Sequence, residues 1–184
     1  MSDVVVVDYG AGNTRSVRAA LGHLGRTSIV TSEPDAIRSA DYVILPGVGS
    51  ARSAMAHLDL TGASTALRER FNDGGATLGI CLGMQLAMET TEEDGGVDGL
   101  ALLPGYVHRL HGGRVPRLGW AIVDPWGDAF YFAHSYAVES TDAVATSDGI
   151  TVVVRRGPFV GVQFHPEKSS TAGLHFMDQC LSPA

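Results

Sequence analysis

Four consecutive valines, Val4 to Val7, constrain this chain more than any other stretch. A strand with one wet face alternates apolar and polar side chains, and this run leaves no position for water. It reads as a strand buried on both faces, the pattern of a parallel sheet covered by helices. Parallel neighbours cannot be joined by a tight hairpin, so helical crossovers must follow. The sequence supplies them. "GAGN" (10–13) turns the chain, Val17, Ala20, Leu21 and Leu24 recur at helical spacing, and Gly25 closes that helix.

The alternation continues with strand candidates at 27–30, 41–47 and 76–80, a helical region from about Ala51 to Asn72, and a further helix after residue 80. From Pro104 onward short strand candidates crowd together: "GYVHRL", "AFYFAHSYAV", "ITVVVRR" and "FVGVQF". "GL" at 173–174 begins a last short helix. The expected fold class is α/β, one domain over 1–184. Its sheet is open and mostly parallel, with helices on both faces and extra short strands in the C-terminal half.

With 184 residues, 45% of them hydrophobic, such a domain can bury a real core. Thirteen basic and 20 acidic side chains give a formal charge of −7, which argues against a nucleic-acid partner because no basic stripe is present. No stretch reaches the ~18 apolar residues of a membrane span, and no basic start leads into a longer apolar run. Two cysteines, Cys81 and Cys180, make no disulfide framework. A reducing, cytoplasmic setting is expected.

Two Gly-rich turns follow buried strands. "DYGAGNTRS" approaches a dinucleotide fingerprint, but Arg15 stands where the third glycine belongs, and a plain tight turn explains the rest. "LPGVGS" (45–50) leaves the backbone around Gly47 and Gly49 unshielded at a strand's carboxyl end, where open α/β sheets bind ligands. A simple strand-to-helix turn is the rival account.

The stretch "GICLG" (79–83) carries the chemistry. Strand, G-x-C-x-G, then helix is the nucleophile-elbow pattern with cysteine in the place of serine. The turn projects the sulfur out of the sheet, and the helix start beside it favours the reactive thiolate. The Leu82 N–H becomes one oxyanion donor, and a second comes from the "PGVG" loop. The alternative is an inert core cysteine, the reading kept for Cys180.

A nucleophilic thiolate needs a base, and the base needs an orienter. Of seven histidines only His165 has a carboxylate two residues on and directly follows a strand, in "VQFHPEKS". Pro166 fixes the backbone between His165 and Glu167, so Glu167 can hold one ring nitrogen while the other faces sulfur. Metal binding is the rival, and "HxE" without a third ligand at a fixed spacing is a poor metal site. His134 in "FAHSY" is a second functional histidine or a buried structural one.

These motifs resemble the class I (triad) glutamine amidotransferases. Within them, "DYGAGNTRSV", "LPGVGS", "GICLGMQL", "LLPGYVHRL", "LGW", "YFAHSY" and "GVQFHPEKS" resemble, in order, the branch formed by glutaminase subunits of imidazole glycerol phosphate synthase. The resemblance implies a flavodoxin-like sheet and the triad Cys81, His165 and Glu167. It implies an oxyanion hole from the backbone of Val48, Gly49 and Leu82. L-glutamine would bind at Gly47, Gln85, Ser135 and Tyr136. It implies no cofactor and no metal. It implies a heterodimer with a (β/α)8-barrel synthase (cyclase) subunit that receives ammonia, with Asn13 and Trp120 toward that partner. Ala51 and Ala121 depart from the branch, which usually has an aromatic residue and an asparagine there. Neither touches the triad. A stand-alone cysteine hydrolase and a non-catalytic nucleotide-binding module are the alternatives.

Overall fold

The computed structural model describes residues 4–11 and 13–182, so Gly12 of the first turn lies outside the described residues. In chain order the elements are β1 (Val4–Val7), α1 (Thr14–His23), β2 (Ser28–Thr31), α2 (Pro34–Ser39), β3 (Tyr42–Leu45), α3 (Ala51–Thr61), α4 (Ala63–Asn72), β4 (Thr77–Ile80) and α5 (Leu82–Leu86). There follow β5 (Thr90–Thr91), β6 (Val97–Asp98), β7 (Tyr106–Arg109), β8 (Arg117–Ile122), β9 (Ala129–His134), β10 (Tyr136–Glu139), β11 (Ala143–Ser147), β12 (Ile150–Arg156), β13 (Phe159–Val162) and α6 (Ser170–Cys180).

The main sheet has seven strands in the order β11-β12-β13-β4-β3-β1-β2. Strands β13, β4, β3, β1 and β2 run parallel, while β12 and β11 add an antiparallel edge. The valine run occupies an interior position, and its side chains alternate between two cores. Val5 and Val7 pack with Val43, Leu45 and residues of α2, α3 and α4. Val4 and Val6 pack with Ile44, Val17 and Leu21 of α1, and Phe176 of α6. Both faces are therefore dry, as an uninterrupted β-branched strand requires.

Several features differ from the sequence reading, which did not anticipate the strands β5, β6, β8 and β11. The helical stretch 51–72 is two helices, because Gly62 adopts φ 77° and ends α3. α2 was not anticipated: it has six residues and one buried side chain, Ile37, too little to show a period. The "AFYFAHSYAV" run breaks at Ser135, and β9 pairs with β8 while β10 pairs with β7. The last helix begins at Ser170, earlier than residues 173–174 indicated. Among the described residues no helix is long and apolar enough to cross a membrane.

Candidate active site

β4 delivers Cys81 at its carboxyl end. Cys81 has φ 50° and ψ −105°, a conformation that non-glycine residues avoid, and its own N–H is tied to the Val162 carbonyl at 2.7 Å. The strained turn lifts the side chain off the sheet and lets α5 start at Leu82. Two missing side chains make the corner possible. A Cβ on Gly47 would overlap the Ile80 carbonyl and crowd the Leu82 amide, and one on Gly83 would overlap the Leu45 carbonyl. The elbow and the β3 loop thus sit backbone against backbone.

β13 brings in the base. The His165 N–H donates to the Tyr131 carbonyl at 2.9 Å, and the Ser169 hydroxyl donates to the His165 carbonyl at 2.7 Å. Pro166 then opens a 3-10 turn, Pro166–Lys168, which folds Glu167 back onto the ring. His165 Nδ1 and Glu167 Oε1 are 2.8 Å apart, and both side chains are buried. Asn13 Nδ2 donates to the same oxygen at 3.0 Å. Asn13 is also the N-cap residue of α1, yet its side chain makes no capping bond. Its amide serves the carboxylate instead.

Burial depresses the basicity of His165, but its hydrogen bonds to Cys81 and Glu167 and their negative charges outweigh that, raising it to about 9. The ring accordingly favours the imidazolium form at neutral pH, opposite a sulfur that can carry the negative charge.

The side chains gather around one cavity of about 260 Å³. Gly47, Val48, Gly49, Cys81, Leu82, Gln85, Ser135, Tyr136 and His165 all line it. Asn13 and Trp120 do not; Asn13 lies behind Glu167, and Trp120 stands on β8, where it is 54% exposed. The Val48 N–H donates to the Tyr9 hydroxyl at 3.3 Å, while that hydroxyl donates to the Pro46 carbonyl at 2.7 Å. Gly49 follows at φ 112°, a value open to glycine. His134 is a buried member of the wall. Its Nδ1 bonds the Tyr136 carbonyl at 2.7 Å, and burial lowers its basicity to about 4, so the ring is neutral.

Sequence reasoning missed four neighbours. Gln163 places its amide nitrogen 3.5 Å from the Cys81 sulfur. Glu93 lines the cavity and accepts from the Ala51 N–H at 3.0 Å, with burial raising its proton affinity. Lys168 lines the same cavity, and Tyr9 holds the loop behind it. The "DYG" and "VQF" letters beside known motifs were the available signal for Tyr9 and Gln163.

A larger hollow of about 750 Å³ lies at the amino ends of β3 and β4, lined by Arg38, Asp41, Arg70, Arg155 and Cys180 among others. It has no elbow. Burial pushes the Cys180 thiol up to about 11, which suppresses its nucleophilic form. Among the described residues no cluster of three or more His, Cys, Asp or Glu side chains could hold a metal ion.

Comparison with known proteins gives the family and the fold. The family model for class-I glutamine amidotransferases matches residues 5–182. Imidazole glycerol phosphate synthase subunit HisH of Moorella thermoacetica is 45% identical over 195 residues, spanning 96% of this chain and 93% of its own. The chloroplastic imidazole glycerol phosphate synthase hisHF of Arabidopsis thaliana is 40% identical over 203 residues, which span 99% of this chain and 34% of that longer one. A crystal structure of a glutamine amidotransferase shares the fold, with a TM-score of 0.82 over 96% of this chain and 97% of its own at 22% identity.

Proposed function

The chain belongs to the class I glutamine amidotransferase family, and from that premise we propose that it is the glutaminase subunit of an imidazole glycerol phosphate synthase. It is an enzyme that hydrolyses L-glutamine to glutamate and supplies the ammonia to a synthase subunit, in histidine biosynthesis. The observation that carries this reading is the strained Cys81 corner facing a histidine that Glu167 orients.

The Cys81 thiolate adds to the side-chain amide carbon of glutamine, forming a C–S bond and placing the negative charge on oxygen. Backbone N–H groups of Leu82 and of the Val48–Gly49 segment stabilise that charge. His165 gives its proton to the amide nitrogen, the C–N bond breaks, and ammonia leaves a γ-glutamyl thioester. His165, now neutral, takes a proton from water. The hydroxide oxygen attacks the thioester, the C–S bond breaks, and glutamate departs with the thiolate and imidazolium restored. Glu167 holds Nδ1 throughout, and Asn13 holds Glu167.

Gly47, Gln85 and the Ser135–Tyr136 backbone hold the glutamine, and Glu93 offers a negative group to its ammonium. Neither step calls for a cofactor. Gln85 Nε2 already donates to the Tyr136 carbonyl and to Gln163, so its Oε1 is the atom free for substrate. The partner is a (β/α)8-barrel synthase subunit. Leu118, Trp120 and Ile122 support a docking face there, since alternate residues of β8 leave all three at least half exposed, at 58%, 54% and 50%.

The test is glutamate release from glutamine by the isolated chain and by its complex with the synthase subunit and a nucleotide ligand. Turnover that depends on the complex supports the reading. Full turnover by the isolated chain would favour a stand-alone cysteine hydrolase.

A further inference from the structure

Gln163, fully buried, directly follows β13, three positions short of Glu167's turn, and its carboxamide is spent on two partners. Its Oε1 accepts from Gln85 Nε2 at 3.0 Å, and its Nε2 faces the Cys81 sulfur at 3.5 Å. Gln85 Nε2 also donates to the backbone carbonyl of Tyr136 at 3.2 Å.

The orientation of both carboxamides follows from that carbonyl. A backbone C=O can only accept, so the Gln85 side chain must turn its NH2 group toward it. The same NH2 then meets Gln163, which must answer with its oxygen. The NH2 of Gln163 is left pointing at sulfur. Reversing either amide would set donor against donor or acceptor against acceptor in a dry site, at a cost comparable to a lost buried hydrogen bond. The polarity set at Tyr136 is therefore relayed through Gln85 and Gln163 to Cys81.

We propose that Gln163 is a further catalytic residue of this site: its amide N–H donates to the Cys81 sulfur and holds it as a thiolate, with Gln85 as the positioning residue that aims it. The proposal rests on Cys81 being the nucleophile of the proposed glutaminase. A hydrogen bond to an ionised acceptor is roughly twice as strong as one to a neutral acceptor, so the N–H favours the thiolate over the thiol. Among the ionisable groups, His165 hydrogen-bonds the sulfur and Tyr9, whose burial keeps the phenol neutral, stands near it, while Glu93, His134 and Lys168 line the same cavity. The Ala133 carbonyl stands 4.0 Å from the sulfur and offers only an acceptor. Gln163 is thus the neutral donor at the nucleophile, and its contact does not depend on protonation.

The experiment is iodoacetamide alkylation of Cys81 as a function of pH, followed by mass spectrometry, in the full chain and in Gln163→Met and Gln163→Glu. Methionine fills a similar volume without a donor. Glutamate keeps the acceptor for Gln85 but turns a second acceptor toward sulfur. Loss of the donor lowers alkylation at pH 7 about tenfold and moves the profile to higher pH, with Gln163→Glu at least as slow as Gln163→Met. Near-ultraviolet circular dichroism identifies the folded variants, and if the methionine variant is unfolded the glutamate variant decides. Profiles superimposable on the wild type would overturn the role of Gln163. Glutamate release by the wild-type complex is measured alongside. Its absence would remove the glutaminase reading, while the alkylation comparison would still judge the contact.

Discussion

The Val48 amide donates to the Tyr9 hydroxyl, 3.3 Å away, across 39 residues of chain. The hydroxyl in turn donates to the Pro46 carbonyl, so one phenol clasps both sides of the loop that flanks the nucleophile. An amide engaged there is one donor fewer for a developing oxyanion. One such donor is worth ~10²–10³ in turnover. Tyr9→Phe is expected to raise glutamine turnover of the isolated chain about tenfold or more, with little change in the ligand-loaded complex. Glutamate release from both forms checks this. An isolated Tyr9→Phe chain no faster than the isolated wild type would mean that the phenol does not withhold the Val48 amide.

Cys81→Ala and Cys81→Ser are expected to abolish glutamine hydrolysis, whereas Cys180→Ser leaves it nearly intact. The two thiols differ in setting: one sits on a strained corner beside His165, the other near the end of α6 with burial holding its proton. A glutamine-like chloroketone should add to Cys81 alone, and peptide mapping of the adduct decides between them.

His165→Ala is expected to cost orders of magnitude in turnover and Glu167→Gln distinctly less, since an orienting residue can contribute less than nucleophile and base. Asn13→Ala acts one step further out, through Glu167, and should cost less again. All three variants, mixed with the synthase subunit and supplied with free ammonia, should still support the synthase reaction. Loss of the ammonia-dependent rate would assign these side chains to folding or docking.

Two buried histidines bound the stability window from opposite sides. His165 is raised to about 9 from an ordinary 6.5, so its contribution is complete below pH 6.5 and is lost as pH rises through 9. His134 is lowered to about 4 from 6.5, so its contribution is present above pH 6.5 and is lost as pH falls toward 4. Thermal unfolding at stepped pH should show His165→Gln flattening the alkaline decline and His134→Gln flattening the acid one. Unchanged limbs in both variants would refute this assignment.

The parts of the molecule written in local pattern could be read from the letters. The valine run announced a doubly covered strand, and the G-x-C-x-G corner announced the placement of Cys81. His165 and Glu167 share one turn, so their pairing was legible too. What was not legible is carried by contacts without a local period. Tyr9 meets Val48 across 39 residues and Gln163 meets Cys81 across 82, and neither pair leaves a spacing rule in the sequence. Asn13 was placed toward the partner by the family resemblance alone, and its bond to Glu167, which spans 154 residues, likewise follows no spacing rule. α2 escaped for a different reason, since six residues with one buried side chain show no periodicity.

The two glycines packed against opposing backbone, Gly47 and Gly83, have a genetic consequence. Any missense change in either codon adds a carbon where the Ile80 or Leu45 carbonyl already stands. Charge, polarity and size of the new side chain are secondary, because the first atom beyond the backbone is the one that collides. Alanine, the mildest replacement, should therefore be no better tolerated than valine or aspartate. In a strain that relies on this gene for histidine, both codons should score as auxotrophic for every substitution, with no graded series between them.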